Sequence, residues 1–341
     1  MPSASFDPQR PFLRADGEAA GITAAAFRGP RWRQLFHGVH IDAAVRVDDH
    51  VRATAALLVA PRGTVVARHT AATLWGGAPP PDWRSHVTTL WPTAAERAGA
   101  AEARRRVRGG GRGCSTRARH DLDWGRMNVD GVDARVSCNR AGIVVHRGLP
   151  LTDPTRTFLD LGEDLDLVEL VVVGDSLVSA GRVTPTALVS AAATPGRHRR
   201  LARRAASLVR AGVDSPQETR ARLLCVLAGL PEPEVNVVFH GADGLVLRRA
   251  DLGYRRARVS IEYDGRQHAE DDAQWSTDIT RREEFDGWGW RMVVVTSRGL
   301  WVEPERTLDR IVTVLRSRGE DVGVTSTEWR RYFGRPHERT A

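Results

Sequence analysis

The sequence predicts an α/β protein, in which an α+β N-terminal region precedes a C-terminal domain built on one mixed sheet flanked by helices. Three observations support this fold class: a capped helix pattern near residue 215, three strand-type runs between residues 234 and 264, and the buried-type strand RMVVVT after a helix-length segment. They give the order α-β-β-β-α-β-α. The third strand and the last strand are therefore expected to lie parallel, joined by a right-handed crossover.

The bulk composition favours a folded protein with an anionic partner. The 341 residues are enough for two or three domains, and 41% are hydrophobic while 27% are charged. All 50 basic residues are arginine, and the formal net charge of +8 favours nucleic acid. The three cysteines share no metal-type spacing, and the chain has neither an apolar signal segment nor a membrane-length apolar run. We therefore expect a cytoplasmic protein with no membrane partner.

Residues 1–58 have the outline of a winged helix, which is a DNA-binding arrangement. A short helix-compatible run ends at Gly29-Pro30, and an alternating stretch through Leu35, Val39 and Ile41 then predicts a β-ribbon. Residues 59–212 continue as an α+β region. Helix patterns occupy 51–61 and 68–76, short strand runs lie between 86 and 147, and a further helix starts after Thr152-Asp153-Pro154.

The segment 195–211 carries six arginines and no acidic residue, and it predicts a helix with a basic face that includes Arg200 and Arg204. A solvated connector is the favoured interpretation, and a phosphate-binding face is the alternative. The composition changes near 212–214. We place the start of the last domain (213–320) there and treat 321–341 as a C-terminal tail.

The last domain begins with a capping box. Ser215 can cap the helix, Pro216 suits its first position, and Glu218 can reach back to the helix start. Strand-like segments follow at 234–240, 245–252 and 257–264, a helix at 275–285, a strand at 291–296 and a final helix at 303–318.

Acidic side chains converge in this domain. Side chains alternate along a strand, so Glu262 and Asp264 share one face, and Asp251 can approach them from the preceding strand. Glu218 projects from the first helix. Such carboxylates would repel one another without a hard cation, and Mg²⁺ or Mn²⁺ could supply an acidified water that attacks a phosphodiester. The alternative is a surface strand whose carboxylates pair with arginines, ending in an Asp-Gly turn.

A family resemblance rests on the run ADLGYRRARVSIEYDGRQH, then DITRR and then GWGWRMVVVT. These segments resemble the domain of unknown function related to the very-short-patch-repair endonucleases, within the PD-(D/E)xK superfamily. The pattern of that family is an Asp, a strand with E-x-D-G-x-x-H, a helix with D-x-x-R and a strand after GW-x-V. The resemblance covers roughly residues 213 to 318. It implies a restriction-endonuclease-like αβββαβ core.

The resemblance also implies roles for individual residues. The superfamily has a lysine at the position of Asp264, and this chain contains no lysine. An aspartate at this position is routine in the subfamily. The implied metal ligands are Asp251, Glu262 and the backbone carbonyl of Tyr263. Glu218 and Asp264 would assist, and Gln267 or His268 would replace the lysine, with His268 as a candidate general base or acid.

Arginines near this site suit nucleic-acid binding. Arg281 could contact phosphate or stabilise developing charge, and an ion pair with Asp278 or Glu262 is the equal alternative. The arginines that we assign to nucleic-acid binding are Arg281, Arg282, Arg266, Arg200 and Arg204.

The N-terminal two-thirds has a second resemblance, carried by FRGPRWRQLFHGVHIDA, VVARHTAATLWG and GLPLTDPTRTFLDLG. These segments resemble actinobacterial proteins that carry an abortive-infection type IV antitoxin-like winged-helix region ahead of this nuclease domain. His40 stands where that pattern has tyrosine.

Together these features predict a Mg²⁺- or Mn²⁺-dependent DNA endonuclease or nickase that hydrolyses phosphodiester bonds in double-stranded DNA, in repair or in defence against foreign DNA. A non-catalytic DNA-binding regulator of the type IV antitoxin-like kind, which uses the nuclease fold as a scaffold, is the alternative. An RNA-directed nuclease acting as a toxin is a third interpretation. The sequence leaves open whether two copies pair as a homodimer to cut both strands.

Overall fold

The computed structural model describes residues 6–98, 127–196, 198–241, 243–265 and 272–334, with the backbone alone for 272–279. The chain divides into two compact units, and the division falls between Glu163 and Asp164. Both units combine helices with sheets, so the mixed α/β class predicted from the sequence is confirmed. Within the described residues, no helix combines the length and the apolar character needed to cross a membrane.

The first unit opens with a small antiparallel sheet in the order β1-β3-β2. Its elements are β1 (Phe12–Leu13), α1 (Arg14–Ala19), a 3₁₀ turn (Ala26–Arg28), β2 (Trp32–Phe36) and β3 (Val39–Asp42). The alternating stretch of the sequence forms the β2–β3 ribbon, which turns at Gly38 with a φ of 76°. Val39 and Ile41 are fully buried, and His40 between them is buried as well, so both faces of β3 are covered.

A five-stranded mixed sheet in the order β6-β5-β4-β8-β7 follows in the same unit. Its strands are β4 (Thr64–Val66), β5 (Ser85–Leu90), β6 (Val132–Ser137), β7 (Ile143–His146) and β8 (Leu149–Thr152). The helices of this part are α2 (Asp49–Val59), α3 (Arg68–Leu74) and α4 (Pro154–Leu161). Asp48 and Asp153 cap α2 and α4 by accepting a backbone hydrogen bond, as their positions before each helix favour.

The second unit begins with helices that lie ahead of the predicted nuclease-like domain. They are α5 (Leu167–Ser179), α6 (Pro185–Ala193) and α7 (Arg199–Leu208), followed by α8 (Pro216–Leu227). Residues 164–212, which composition groups with the N-terminal region, thus lie in the second unit. Two buried ion pairs join α5 to α8: Arg220–Glu169 at 2.7 Å and Arg222–Asp175 at 2.9 Å.

A four-stranded sheet in the order β12-β11-β10-β9 forms the centre of the second unit. Its strands are β9 (Glu234–His240), β10 (Val246–Tyr254), β11 (Val259–Asp264) and β12 (Arg291–Thr296), and the helices are α9 (Asp272–Gly287), α10 (Ser297–Trp301) and α11 (Pro304–Ser317). The pairs β9–β10 and β10–β11 are antiparallel, whereas β11 and β12 are parallel. The predicted parallel pair is therefore confirmed. The short helix α10, capped by Thr296, was not expected from the sequence.

Candidate metal centre

The start of α8 holds the first acidic side chain of the centre. The Ser215 hydroxyl accepts a hydrogen bond from the Glu218 amide at 3.2 Å, as the capping motif predicts. The Glu218 carboxylate accepts one from the amide of Asp214 at 3.0 Å, one residue earlier than the capping box would place it. Glu218 is buried. The helix start therefore fixes a carboxylate near the sheet.

Pairing of β10 with β11 brings Asp251 and Glu262 together. The β10–β11 ladder ends at the pair Leu252–Ile261, and Asp251 and Glu262 are the next residues on the two strands. The charge of Asp251 acts on Glu262, which places the two carboxyl groups close together. Asp251 Oδ2 also accepts a hydrogen bond from the backbone amide of Tyr263 at 2.8 Å. This contact ties the Asp251 carboxylate to the strand that carries Glu262.

The Glu262 carboxylate is the most unusual group of the site. Its residue is 7% exposed, its Oε2 accepts a hydrogen bond from Arg281 Nη2 at 2.6 Å, and its buried Oε1 has no hydrogen-bond partner among the described residues. The pKa of Glu262 is raised to about 8, first by burial and then by the charge of Asp251. The Arg281 guanidinium and a hydrogen bond from the Asp251 backbone oppose the rise. Glu262 is thus protonated more easily than a solvated carboxylate.

The neighbouring carboxyl groups have the same bias toward the protonated form. Burial raises the pKa of Asp251, while the Tyr263 amide and the Arg281 guanidinium lower it. Burial also raises the pKa of Glu218, and the charges of Asp251 and Asp214 add to the rise. Three carboxyl groups are therefore held where losing a proton is unfavourable unless a cation binds.

A small pocket of about 70 Å³ opens beside Glu262. Its lining residues are Glu262, Tyr263, Asp264, Arg281, Arg282, Met292 and Val294. Besides contacting Glu262, Arg281 Nη2 donates to the backbone carbonyl of Arg249 at 3.0 Å. The pocket thus combines two carboxylates with two arginines, a composition that suits a cation and a phosphate at the same time.

Not all of the predicted residues can be placed at this site. Gln267, His268 and Arg266 fall outside the described residues, as does the side chain of Asp278. On α7, Arg200 is exposed, while Arg204 forms a bidentate ion pair with Glu328 of the 3₁₀ turn Glu328–Arg331. The Arg204 guanidinium is therefore already neutralised by a carboxylate of the protein.

Two residues of the site were not anticipated. Arg249 is exposed two positions before Asp251 on β10, and its backbone carbonyl accepts a hydrogen bond from Arg281. Asp214 precedes the capping motif, and its charge raises the pKa of both Asp251 and Glu218. No motif of the sequence marks either residue.

The donor set fits a hard cation held by few protein ligands. No cluster of three or more His, Cys, Asp or Glu side chains suited to a metal occurs in the described part of the chain. Mg²⁺, however, is commonly held by one or two carboxylates and keeps several waters. Asp251, Glu262 and the Tyr263 carbonyl are all-oxygen donors, and the unpartnered Oε1 of Glu262 is an oxygen that such an ion would satisfy.

Comparisons with known proteins give a distant likeness. Two uncharacterized proteins of Mycobacterium tuberculosis, one from strain CDC 1551 and one from strain H37Rv, are each 31% identical to this chain over 98 residues. The match covers 29% of this chain and 36% of each relative, so it spans little more than a third of their length. No protein-family model matches the chain. No solved structure matches it either.

Proposed function

We propose that the second unit is a metal-dependent DNA endonuclease or nickase of the PD-(D/E)xK kind, related to the very-short-patch-repair endonucleases. The observation that carries the proposal is the Glu262 carboxylate, which is buried near Asp251 with its Oε1 lacking a hydrogen-bond partner among the described residues. A buried ionised carboxylate is expensive unless it is paired or coordinates a metal. The order of β9, β10, β11, α9 and β12 is compatible with a restriction-endonuclease-like core.

In this proposal Asp251, Glu262 and the carbonyl of Tyr263 would hold the Mg²⁺ or Mn²⁺ ion. When bound, the ion would supply an acidified water and would neutralise charge on the phosphate. Glu218, whose pKa is raised by burial, is suited to take a proton from the attacking water, and His268 stays our predicted general base or acid. Hydrolysis forms a bond from the water oxygen to phosphorus and breaks the P–O bond to the leaving sugar oxygen, which must gain a proton.

Arginines supply the DNA contacts in this proposal. Arg282 lines the pocket beside Glu262, and Arg249 is exposed on β10. Guanidinium groups bind phosphate oxygens with matched geometry. The net charge of +8 favours binding along the phosphate backbone, with the winged-helix-like, antitoxin-like first unit as a further DNA-binding element. Double-stranded DNA is the proposed partner, in repair or defence, and a cytoplasmic location and a homodimer that cuts both strands remain predictions.

The test is nicking of supercoiled plasmid by the full chain with Mg²⁺ or Mn²⁺. Asp251→Asn and Glu262→Gln remove one candidate ligand charge each. Glu234→Gln is the matched control, because this exposed carboxylate on β9 pairs with Arg255. We expect nicking by the natural protein and the control, and a loss of about 100-fold or more in the two site variants.

Two results would contradict the proposal. Equal nicking by the natural protein and both site variants would mean that the cut is made elsewhere. No nicking, together with DNA binding that weakens steeply with salt, would favour the non-catalytic antitoxin-like regulator.

A further inference from the structure

We propose that Arg281 is a positioning residue that exchanges between two anions: it holds Glu262 while no divalent cation is bound, and it turns to the DNA phosphate when a cation takes Glu262. The inference rests on the proposed function, because it concerns the same carboxylate. It adds an order of events to that function. The cation and the DNA contact would be coupled through one side chain of α9.

The contacts of Arg281 support the exchange. Within the described residues, Nη2 donates to Glu262 Oε2 at 2.6 Å and to the Arg249 carbonyl at 3.0 Å. The Glu262 side chain is 10% exposed, whereas that of Arg281 is 37% exposed, although its Nε is buried. Arg281 is thus the more exposed of the two side chains, with its guanidinium end nearer the solvent than the Glu262 carboxylate.

Competition between the two cations follows from electrostatics. A guanidinium and a divalent ion on the same carboxylate would repel each other strongly in a partly buried site. A Mg²⁺ ion also requires near-ideal octahedral geometry and retains waters, which need the space beside the carboxylate. Binding of the ion at Glu262 therefore favours release of Arg281 from Oε2.

The released guanidinium has an anion nearby in the DNA complex. Arg281 and Arg282 line the same pocket as Glu262 and Tyr263, which are two of the three proposed metal-binding residues. A phosphate held by the cation would therefore lie within the region that Arg281 can sample, and guanidinium–phosphate pairs are strong and directional. The same arginine would stabilise the metal-free protein and then help to position the substrate.

Metal affinity is the measurement that separates this role from a structural one. Mn²⁺ binding to the full chain would be followed by electron paramagnetic resonance under argon at about pH 8.5, where more of Glu262 is ionised. Four proteins would be compared: the natural chain, Arg281→Gln, Arg281→Lys and Arg282→Gln. The last is the matched control, because it removes the same charge from the same pocket without a contact to Glu262 among the described residues.

Arg281→Gln should bind Mn²⁺ roughly tenfold more tightly than the natural chain, since one charge-assisted contact no longer competes for the carboxylate. Arg281→Lys keeps the competing charge and should bind within about threefold of the natural chain, and Arg282→Gln within about twofold. Plasmid nicking by Arg281→Gln should nevertheless be slower at saturating Mn²⁺, because the phosphate contact is lost.

The failures can be told apart. Equal or weaker Mn²⁺ binding by Arg281→Gln, beside measurable binding by the natural chain, would overturn the exchange and leave the metal site standing. No Mn²⁺ binding by any of the four proteins would overturn both proposals. Arg281→Lys is the folding control, because its lysine retains a cation that can pair with Glu262, which Arg281→Gln removes.

Discussion

The buried charge of Glu262 is predicted to lower the stability of the metal-free protein. Replacing Glu262 by a neutral residue should therefore stabilise the metal-free fold. The change is Glu262→Gln, which keeps the shape of the side chain and an oxygen for Arg281 while removing the buried charge. Residues retained at a cost in stability are typical of functional sites. The gain must depend on pH, because the penalty falls on the ionised form alone.

The size of the effect follows from the pKa of Glu262. Burial and the charge of Asp251 raise it from 4.5 to about 8 in the folded protein. The folded state therefore holds this proton more tightly than the unfolded state. The stability that protonated Glu262 contributes is complete below about pH 4.5 and is lost as the pH rises toward 8. Over the whole pH range, the loss of unfolding free energy has an upper limit of about 5 kcal/mol. Between about pH 6 and about pH 8, the loss is about 2.5 kcal/mol.

The assay is urea unfolding of the natural chain and of Glu262→Gln with a chelator present, at about pH 6, 7 and 8. Hydrogen exchange in peptides from β10 and β11 would report the second unit separately from the first. The quantity compared is the difference in the free energy of unfolding between the two proteins, so that titrating groups that do not interact with Glu262 cancel. That difference should grow by about 2.5 kcal/mol in favour of the variant across the interval.

Magnesium should reverse the order of stability, so that the natural chain becomes more stable than Glu262→Gln. The natural chain should gain stability with rising Mg²⁺ concentration, as any ligand that binds the folded state alone requires, and Glu262→Gln should gain far less. A difference in unfolding free energy that stays constant from about pH 6 to about pH 8 would contradict the raised pKa of Glu262. It would mean that Glu262 is well solvated or fully paired in the folded protein.

Three further predictions concern the rest of the molecule. Arg222→Ala leaves the buried Asp175 without its guanidinium partner and should lower the unfolding free energy by about 3–5 kcal/mol, measured in urea. Burial lowers the pKa of His86 to about 4, so the stability that neutral His86 contributes is complete above about pH 6.5 and is lost as the pH falls toward 4. The NMR resonances of the His86 ring should therefore stay constant from pH 8 to about 5. A titration midpoint near 6.5 would contradict this prediction. Gly253→Ala would bring a Cβ to 2.8 Å from Val237 and should lower the unfolding free energy by about 1–3 kcal/mol, whereas an unchanged melting temperature would show that β9 can move.

Local patterns in the sequence were sufficient to predict much of the second unit. Capping by Ser215, the limits of β9 and β12, and the parallel pairing of β11 with β12 depend on neighbouring residues or on chain order. The approach of Asp251 to Glu262 was also predictable, because it needs only two adjacent antiparallel strands with side chains that alternate.

Other features depend on contacts between distant segments. The ion pair of Arg281 with Glu262 was one of three open alternatives, since the rotation of α9 against the sheet is set by packing rather than by local sequence. Strand β4 has three residues, too few to show a period. The division of the chain at Glu163 follows the association of α5 with α8, which composition does not reveal.

A crystal structure of the full chain with Mn²⁺, with the ion located from its anomalous scattering, would test the metal site most directly. An anomalous peak is expected within bonding distance, about 2.1–2.3 Å, of carboxylate oxygens from both Asp251 and Glu262, with the Arg281 guanidinium no longer on Glu262. At saturating Mn²⁺, the absence of a peak there, with the Arg281–Glu262 ion pair intact, would contradict it.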